Sequence, residues 1–144
     1  MSTTSTSPAC DRVRLGKLLL TASAVFLILF GAVLNLAPEE AAATAGLEGG
    51  SALPWQLLAG ALIGVGVLNA YSRGRPFGGI YGRPLGLANL LLFVVGAFAL
   101  GRAASGGKAS PTVWTLLVIY AAFAAAFVWV VFADGPKLRP GESE

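Results

Sequence analysis

The sequence predicts an all-α integral membrane protein, a four-helix bundle with both termini in the cytoplasm. Apolar residues make up 56% of the 144 residues and charged residues only 12%, well below the roughly 25% typical of a soluble domain. Four stretches carry no charge at all, namely 18–38, 49–72, 84–101 and 110–133. Each is close to the roughly 17–25 residues that a helix needs to cross the hydrocarbon core of a bilayer.

Prolines mark the ends of the predicted spans. We expect helices at about 15–37, 54–71, 84–101 and 111–133, which together form one membrane domain over 15–133. Pro38 stops the first helix, and each later helix opens with a proline at or near its first turn, where the missing N–H has no cost. Ser110 is a candidate N-cap for the last helix. The polar segments 1–14 and 134–144 are predicted to be cytoplasmic tails, the first of them disordered.

The first apolar run also permits a second interpretation, a cleaved signal peptide. It follows a basic segment, and the small residues "AAATA" at 41–45 resemble a cleavage site. Its uncharged run is longer than the usual 7–15 apolar residues of a signal peptide, which favours a retained helix.

Orientation follows from the positions of the lysines and arginines. Eight of the ten lie in the N-terminal flank, the loop after the second helix, and the C-terminal tail: Arg12, Arg14, Lys17, Arg73, Arg75, Arg83, Lys137 and Arg139. Arg102 and Lys108 lie in the opposite loop. This asymmetry predicts a multi-pass protein of the cell inner membrane with cytoplasmic N- and C-termini.

Several chemistries are disfavoured by the residue types present. Cys10 is the single cysteine and the chain has no histidine, which removes the commonest metal and haem ligand. No Asp, Glu, Lys or Arg lies in the middle of a span, although such residues are the usual mark of pumps and proton relays. The sequence therefore predicts no catalytic residue and no metal site, and a protein that is not an enzyme.

Small residues follow the helical period in all four spans. The candidate packing positions are Gly31, Gly60, Gly64, Gly66, Gly96, Ala122 and Ala125. Small residues let helix backbones approach closely in membranes. Packing inside the bundle is the first interpretation of these positions, and homo-oligomerisation through Gly60 and Gly64 is the second.

Three asparagines lie within the spans, at positions 35, 69 and 89. Asn69 is about 6 Å of helix rise from Arg73, and Asn89 about 9 Å from Arg83. The two are thus expected at similar depth near the cytoplasmic side, within reach of a hydrogen bond across the hairpin. Asn35 is expected near the outer end of its helix. A structural role is favoured over a ligand contact for all three.

The last helix carries an aromatic side with Tyr120, Phe123 and Phe127. This side is expected to face lipid, a partner protein, or a flat apolar cofactor such as a quinone or carotenoid. No cofactor is predicted, and bound lipid stays open as well.

The loop "RGRPFGGIYGRP" at 73–84 is rich in arginine and glycine. It lacks the preceding strand, the lysine and the Ser/Thr of a phosphate-binding loop, and its basic field is too small for nucleic acid. Arg73, Arg75 and Arg83 are therefore predicted to anchor the hairpin at the cytoplasmic surface, with lipid-headgroup or partner contact as the alternative.

Three stretches, "GAVLNLAPEEAAATAGL", "LLAGALIGVGVLNAYSR" and "RPLGLANLLLFVVGAFALG", together with the alanine- and tryptophan-bearing last helix, carry a family resemblance. They resemble small bacterial four-helix membrane proteins of unknown function, DoxX-like in build. The resemblance implies, for some members, a role as subunits of quinone-linked oxidoreductases.

Taken together, these features predict a non-catalytic structural or accessory subunit of a larger membrane assembly. Its partners would be membrane lipids, further copies of the chain or other membrane subunits, and no nucleic acid. Two alternatives stay open: a subunit of a quinone-linked redox system whose chemistry a partner supplies, and a small-molecule carrier.

Overall fold

The computed structural model describes residues 8–46, 50–74, 82–107 and 109–133, and these ranges are almost entirely helical. Five helices follow one another: α1 (Pro8–Leu36), α2 (Pro38–Thr44), α3 (Leu53–Ser72), α4 (Gly82–Ser105) and α5 (Pro111–Ala133). Four of them, α1, α3, α4 and α5, are long and apolar enough to cross a membrane. The prediction of an all-α, multi-pass membrane protein is thus confirmed. Residues 1–7 and 134–144 of the predicted tails lie outside the described residues.

Two helices extend further than the charge pattern predicts. α1 begins at Pro8 instead of Leu15, and α4 continues past Gly101 to Ser105. An uncharged window marks only the part of a helix that lies in lipid. Arginine and lysine are good helix formers, so Arg14 and Arg102 continue their helices beyond that part.

The segment after α1 is a short helix instead of a loop. Pro38 ends α1, as predicted, and it also stands in the first turn of α2. Glu39 and Glu40 follow it in the same turn, where negative charge is favourable next to the unpaired N–H groups of a helix start. A proline after an apolar run is thus both a stop and a start signal here.

Ser110 connects the start of α5 to the end of α2. Its hydroxyl donates to the Thr44 carbonyl over 2.6 Å, and the Val113 N–H donates to the Ser110 Oγ over 3.4 Å. The second bond is the N-cap interaction predicted for this serine. The first fixes the short helix α2 against the end of the bundle from which α5 departs.

α1 and α3 form one antiparallel pair with two close backbone approaches. A Cβ added to Gly31 would lie 2.9 Å from the Ala59 carbonyl oxygen, and one added to Gly66 would lie 3.1 Å from that of Ala24. The first distance is shorter than real Cβ contacts and the second is tighter than most of them, so a side chain at either position would require the neighbouring helix to shift. The two contacts lie at different points along the helices, so α1 and α3 pack closely over much of their length.

α4 and α5 form the second pair, and the two pairs approach each other at far fewer points than the helices within a pair. Large side chains fill the space between the pairs. The core consists of Leu20, Leu27, Leu34, Ala59, Leu62, Leu85, Leu90, Phe93, Tyr120, Ala124 and Phe127. The bundle is therefore two tightly packed helix pairs joined by long side chains.

Candidate functional site: a buried amide pair and an apolar groove

Asn69 of α3 and Asn89 of α4 form a reciprocal pair of hydrogen bonds between their side-chain amides. The Asn69 Nδ2 donates to the Asn89 Oδ1 over 2.7 Å, and the Asn89 Nδ2 donates to the Asn69 Oδ1 over 2.8 Å. Both residues are fully buried. The two amides thus join the α1–α3 side of the bundle to α4.

Ser23 of α1 extends this pair to a third helix. The second N–H of the Asn69 amide donates to the Ser23 Oγ over 3.0 Å, and the Ser23 hydroxyl donates to the Leu20 carbonyl over 3.1 Å. The remaining N–H of Asn89 donates to the Leu85 carbonyl over 3.0 Å. All four amide hydrogens are thus used, as a polar group deep in an apolar bundle requires.

The amide pair lies toward the end of the bundle that carries the Arg73–Arg83 loop. Asn69 is three residues from the end of α3 at Ser72, or roughly 4–5 Å of helix rise. Arg73 and Arg83 are exposed at this end, whereas Arg75 lies outside the described residues. The structure thus brings Asn69 and Asn89 together, and it places two of the three loop arginines on the surface beside them.

Asn35 stands apart from this network. It is exposed near the end of α1, and it forms no hydrogen bond with any residue in the described part of the chain. Of the three intramembrane asparagines, two are structural connectors and the third faces outward.

An aromatic cluster fills the middle of the bundle. The Phe93 ring of α4 lies 4.7 Å from Phe123 and 5.7 Å from Phe127, stacked on both, and meets Tyr120 edge-on at 5.3 Å. Phe26 of α1 contacts the Tyr120 ring at 5.9 Å and the Phe123 ring at 5.5 Å. Centroid distances of 4.5–7 Å are favourable for aromatic pairs.

This arrangement corrects the expectation for the last helix. Tyr120, Phe123 and Phe127 were expected to face lipid, a partner or a flat cofactor, but they point inward, and Phe127 is fully buried. The reason is that their rings fill the middle of the space between the two helix pairs, where they pack against Phe26 of α1 and Phe93 of α4. The outward side of α5 carries Trp114, Val118 and Trp129 instead.

The small residues of the sequence pattern divide into two groups. Gly31, Gly66 and Gly96 lie at close contacts between helices, and a Cβ on Gly96 would overlap the Tyr120 ring. In contrast, Gly60 and Gly64 are exposed, and a Cβ on either would meet no described atom within 4 Å. Ala122 and Ala125 of α5 are exposed as well. The step "GALIG" thus faces away from the chain's own bundle.

An apolar groove of about 760 Å³ runs between the two helix pairs in the half of the bundle away from the amide pair. All four spanning helices line it, from Phe30 of α1 and Trp55 of α3 to Gly96 of α4 and Tyr120 of α5. Among the described residues that line it, Trp55 and Tyr120 are the ones whose side chains carry a hydrogen-bonding atom. Amides join the two pairs at one end and aromatic rings join them in the middle, and the groove lies where the described residues form neither kind of connection.

Reasoning from the sequence missed Ser23, Phe26 and Phe30. Ser23 lies six residues after Lys17, and Asn69 lies four residues before Arg73, so both are at a similar depth in the membrane. This similar depth was the signal that could have predicted their contact. The two phenylalanines are one helical turn apart on α1 and stack on each other at 5.7 Å. Nothing in their spacing indicated contact with α5.

No family model, no curated protein and no solved structure matches this chain.

Proposed function

We propose that the protein is a non-catalytic integral membrane protein that serves as a structural or accessory subunit of a larger membrane assembly. The observation that carries the proposal is the outward face of α3, where Gly60 and Gly64 present bare backbone to the surroundings. A helix of another subunit, or of a second copy, would pack against this face.

The cost of these two glycines supports the proposal. Glycine in a helix interior is about 1 kcal/mol less favourable than alanine, and no contact within the described chain uses the space at Gly60 or Gly64. Close approach of another helix would offset that cost. Gln56 is exposed one turn earlier on the same face, and its amide offers hydrogen bonds to such a helix.

The inside of the bundle supports a passive role. Every buried side-chain nitrogen or oxygen of the described residues has a hydrogen-bond partner, so Asn69, Asn89 and Ser23 are committed to holding the helices together. The spans also carry their charged residues, such as Lys17 and Arg102, only at their ends. Chemistry in the assembly would accordingly come from a partner.

We further propose that the protein lies in a bacterial inner membrane with both termini in the cytoplasm. Eight of its ten basic residues flank the ends of the spans on that side. The resemblance to DoxX-like proteins supports the same location. In this orientation the Arg73–Arg83 loop meets the anionic cytoplasmic leaflet, where the attraction between each basic residue and the lipid headgroups contributes about 1 kcal/mol.

Native electrophoresis of membranes solubilised in mild detergent tests this function. The wild-type chain should migrate in a complex larger than the monomer, and the double substitution Gly60→Leu/Gly64→Leu should shift it to the monomer. Gly101→Leu is the matched control, since a Cβ there also meets nothing closer than 4.0 Å but lies on α4. It should leave the complex intact.

Two results would count against the proposal. One is a monomer in wild-type membranes, or a complex that the double substitution leaves unchanged. The other is robust quinone reduction or proton flux by the purified chain reconstituted alone in liposomes, which would make the protein an enzyme or transporter in its own right.

A further inference from the structure

The hydroxyl of Tyr120 has no hydrogen-bond partner among the described residues, although only 7% of the residue's surface is exposed. Its ring is fixed from two sides, edge-on to Phe26 and to Phe93. The residue lines the apolar groove. Every buried side-chain oxygen of the described residues has a partner, so the ring of Tyr120 is buried while its hydroxyl opens onto the groove. In the hydrocarbon core no water reaches that hydroxyl, so an acceptor supplied from the groove would satisfy it.

The depth of Tyr120 limits what can supply that acceptor. The residue is the tenth of 23 in α5, which places it roughly 13–14 Å along the helix, near the middle of a bilayer about 30 Å thick. A phospholipid in the groove would leave its ester carbonyls at the interface and offer only methylene groups at this depth. An ordinary lipid chain therefore fills the groove but does not satisfy the phenol.

The other side chains that line the groove further restrict the kind of ligand that could bind there. Of the other lining side chains that the structure describes, Trp55 near the start of α3 alone carries a hydrogen-bonding atom, its indole N–H. An indole N–H is a donor only, whereas a phenol both donates and accepts. The described lining thus offers two donors and a single side-chain acceptor, the phenol oxygen itself, and none of these residues is charged.

The groove is also accessible from the surrounding membrane. Leu58 of α3 and Leu91 and Val95 of α4 line it and are themselves exposed, so it opens between these two helices. Its lining on α4 runs from Ala88 to Ala103, roughly 22 Å of helix rise. An elongated apolar molecule can enter sideways from the hydrocarbon core.

We propose that this groove binds a lipophilic carbonyl compound, an elongated apolar molecule whose C=O accepts a hydrogen bond from the Tyr120 hydroxyl within the hydrocarbon core. This inference goes beyond the role as an assembly subunit and does not depend on it. Gly96 makes room for the Tyr120 ring, Ala99 leaves open space in the groove, and the aromatic cluster holds the phenol in position.

The test uses the fluorescence of Trp55, which lies in the groove. In the full chain carrying Trp114→Phe and Trp129→Phe, Trp55 is the sole tryptophan. Decylbenzoquinone, a quencher with two carbonyl groups, should quench it saturably in detergent. Tyr120→Phe, which removes only the hydroxyl, should weaken binding roughly tenfold, and Ala99→Phe, which fills the groove, should abolish saturable quenching. Tyr71→Phe is the matched control on an exposed tyrosine and should have no effect.

Competition then identifies the recognised group. Dinonyl ketone should displace the quinone, and nonadecane, which has the same chain length without the carbonyl, should not. Displacement by the ketone but not by the alkane shows that the carbonyl group is recognised, whereas displacement by neither would contradict a site for lipophilic carbonyl compounds. Equal affinity of the Tyr120→Phe chain, equal displacement by ketone and alkane, or quenching that rises linearly in every variant would overturn the proposal.

Discussion

Replacing Asn69 with alanine should destabilise the bundle by about 2 kcal/mol. The residue forms three interhelical hydrogen bonds, two with Asn89 and one with Ser23, and such bonds in membrane proteins average about 0.6 kcal/mol each. The substitution also leaves the Asn89 amide buried without its partner, which adds to the cost. Asn89→Ala should cost less, about 1 kcal/mol, because it removes only two interhelical bonds.

The double substitution distinguishes the bonds that Asn69 and Asn89 share from the bonds that each forms with other residues. If the two residues act through the bonds that they share, Asn69→Ala/Asn89→Ala should cost no more than Asn69→Ala alone. The coupling free energy of the double-mutant cycle would then be about 1 kcal/mol. Two independent residues would instead give additive costs.

The assay is equilibrium unfolding of the purified chain in mixed micelles, followed by circular dichroism as the denaturing detergent is increased. Asn35→Ala is the control, since Asn35 is exposed and has no hydrogen bond within the described residues, and it should be neutral. Additive costs for Asn69 and Asn89, or a loss for Asn35→Ala equal to that for Asn69→Ala, would refute the view that the amide pair joins the two helix pairs.

Two further predictions concern packing and orientation. Gly66→Ala should lower the free energy of unfolding by about 1–3 kcal/mol, because the added Cβ would lie 2.7 Å from Cγ1 of Ile28. Gly64→Ala should be neutral or should stabilise the helix by up to about 1 kcal/mol. Equal effects of the two substitutions in the same micelle assay would contradict the assignment of Gly66 to the inner face of α3 and Gly64 to its outer face. Reporter fusions after Glu144 and within residues 39–50 should report opposite sides of the membrane, and a reporter active on one side in both positions would contradict four spans.

The spans were predictable from the sequence because lipid imposes a simple requirement. A segment in hydrocarbon must satisfy its own backbone hydrogen bonds and carry no stray charge, and both conditions are readable in a linear sequence. α3 and α5 were accordingly placed within one residue at each end. α1 and α4 were misjudged at the ends that leave the lipid, where that requirement no longer applies.

Which face of each helix points into the bundle was less predictable, for a physical reason. In water the apolar face of a helix turns inward, but in lipid both faces are apolar and composition does not distinguish them. Gly64 and Gly66 are only two residues apart, yet one faces outward and the other contacts α1. The contact between Asn69 and Asn89 was predictable, because an amide in hydrocarbon needs a hydrogen-bond partner and these two residues lie at the same depth.

One geometric cause links the amide pair, the aromatic cluster and the groove. In the α1–α3 pair, Gly31 and Gly66 bring the backbones close together, and in the α4–α5 pair Gly96 makes room for the Tyr120 ring, so the helices within each pair are closely packed. Between the pairs, the connection is made by residues whose length sets the separation: two amides at one end and phenylalanine rings such as Phe93 in the middle. Beyond the Tyr120 ring no described side chain of that size continues the bridge, and the same separation becomes an open groove with the phenol at its inner wall. Shortening the bridge, for example with Phe93→Leu, should therefore narrow the groove as well as loosen the core, so stability and the proposed ligand binding would depend on the same side chains.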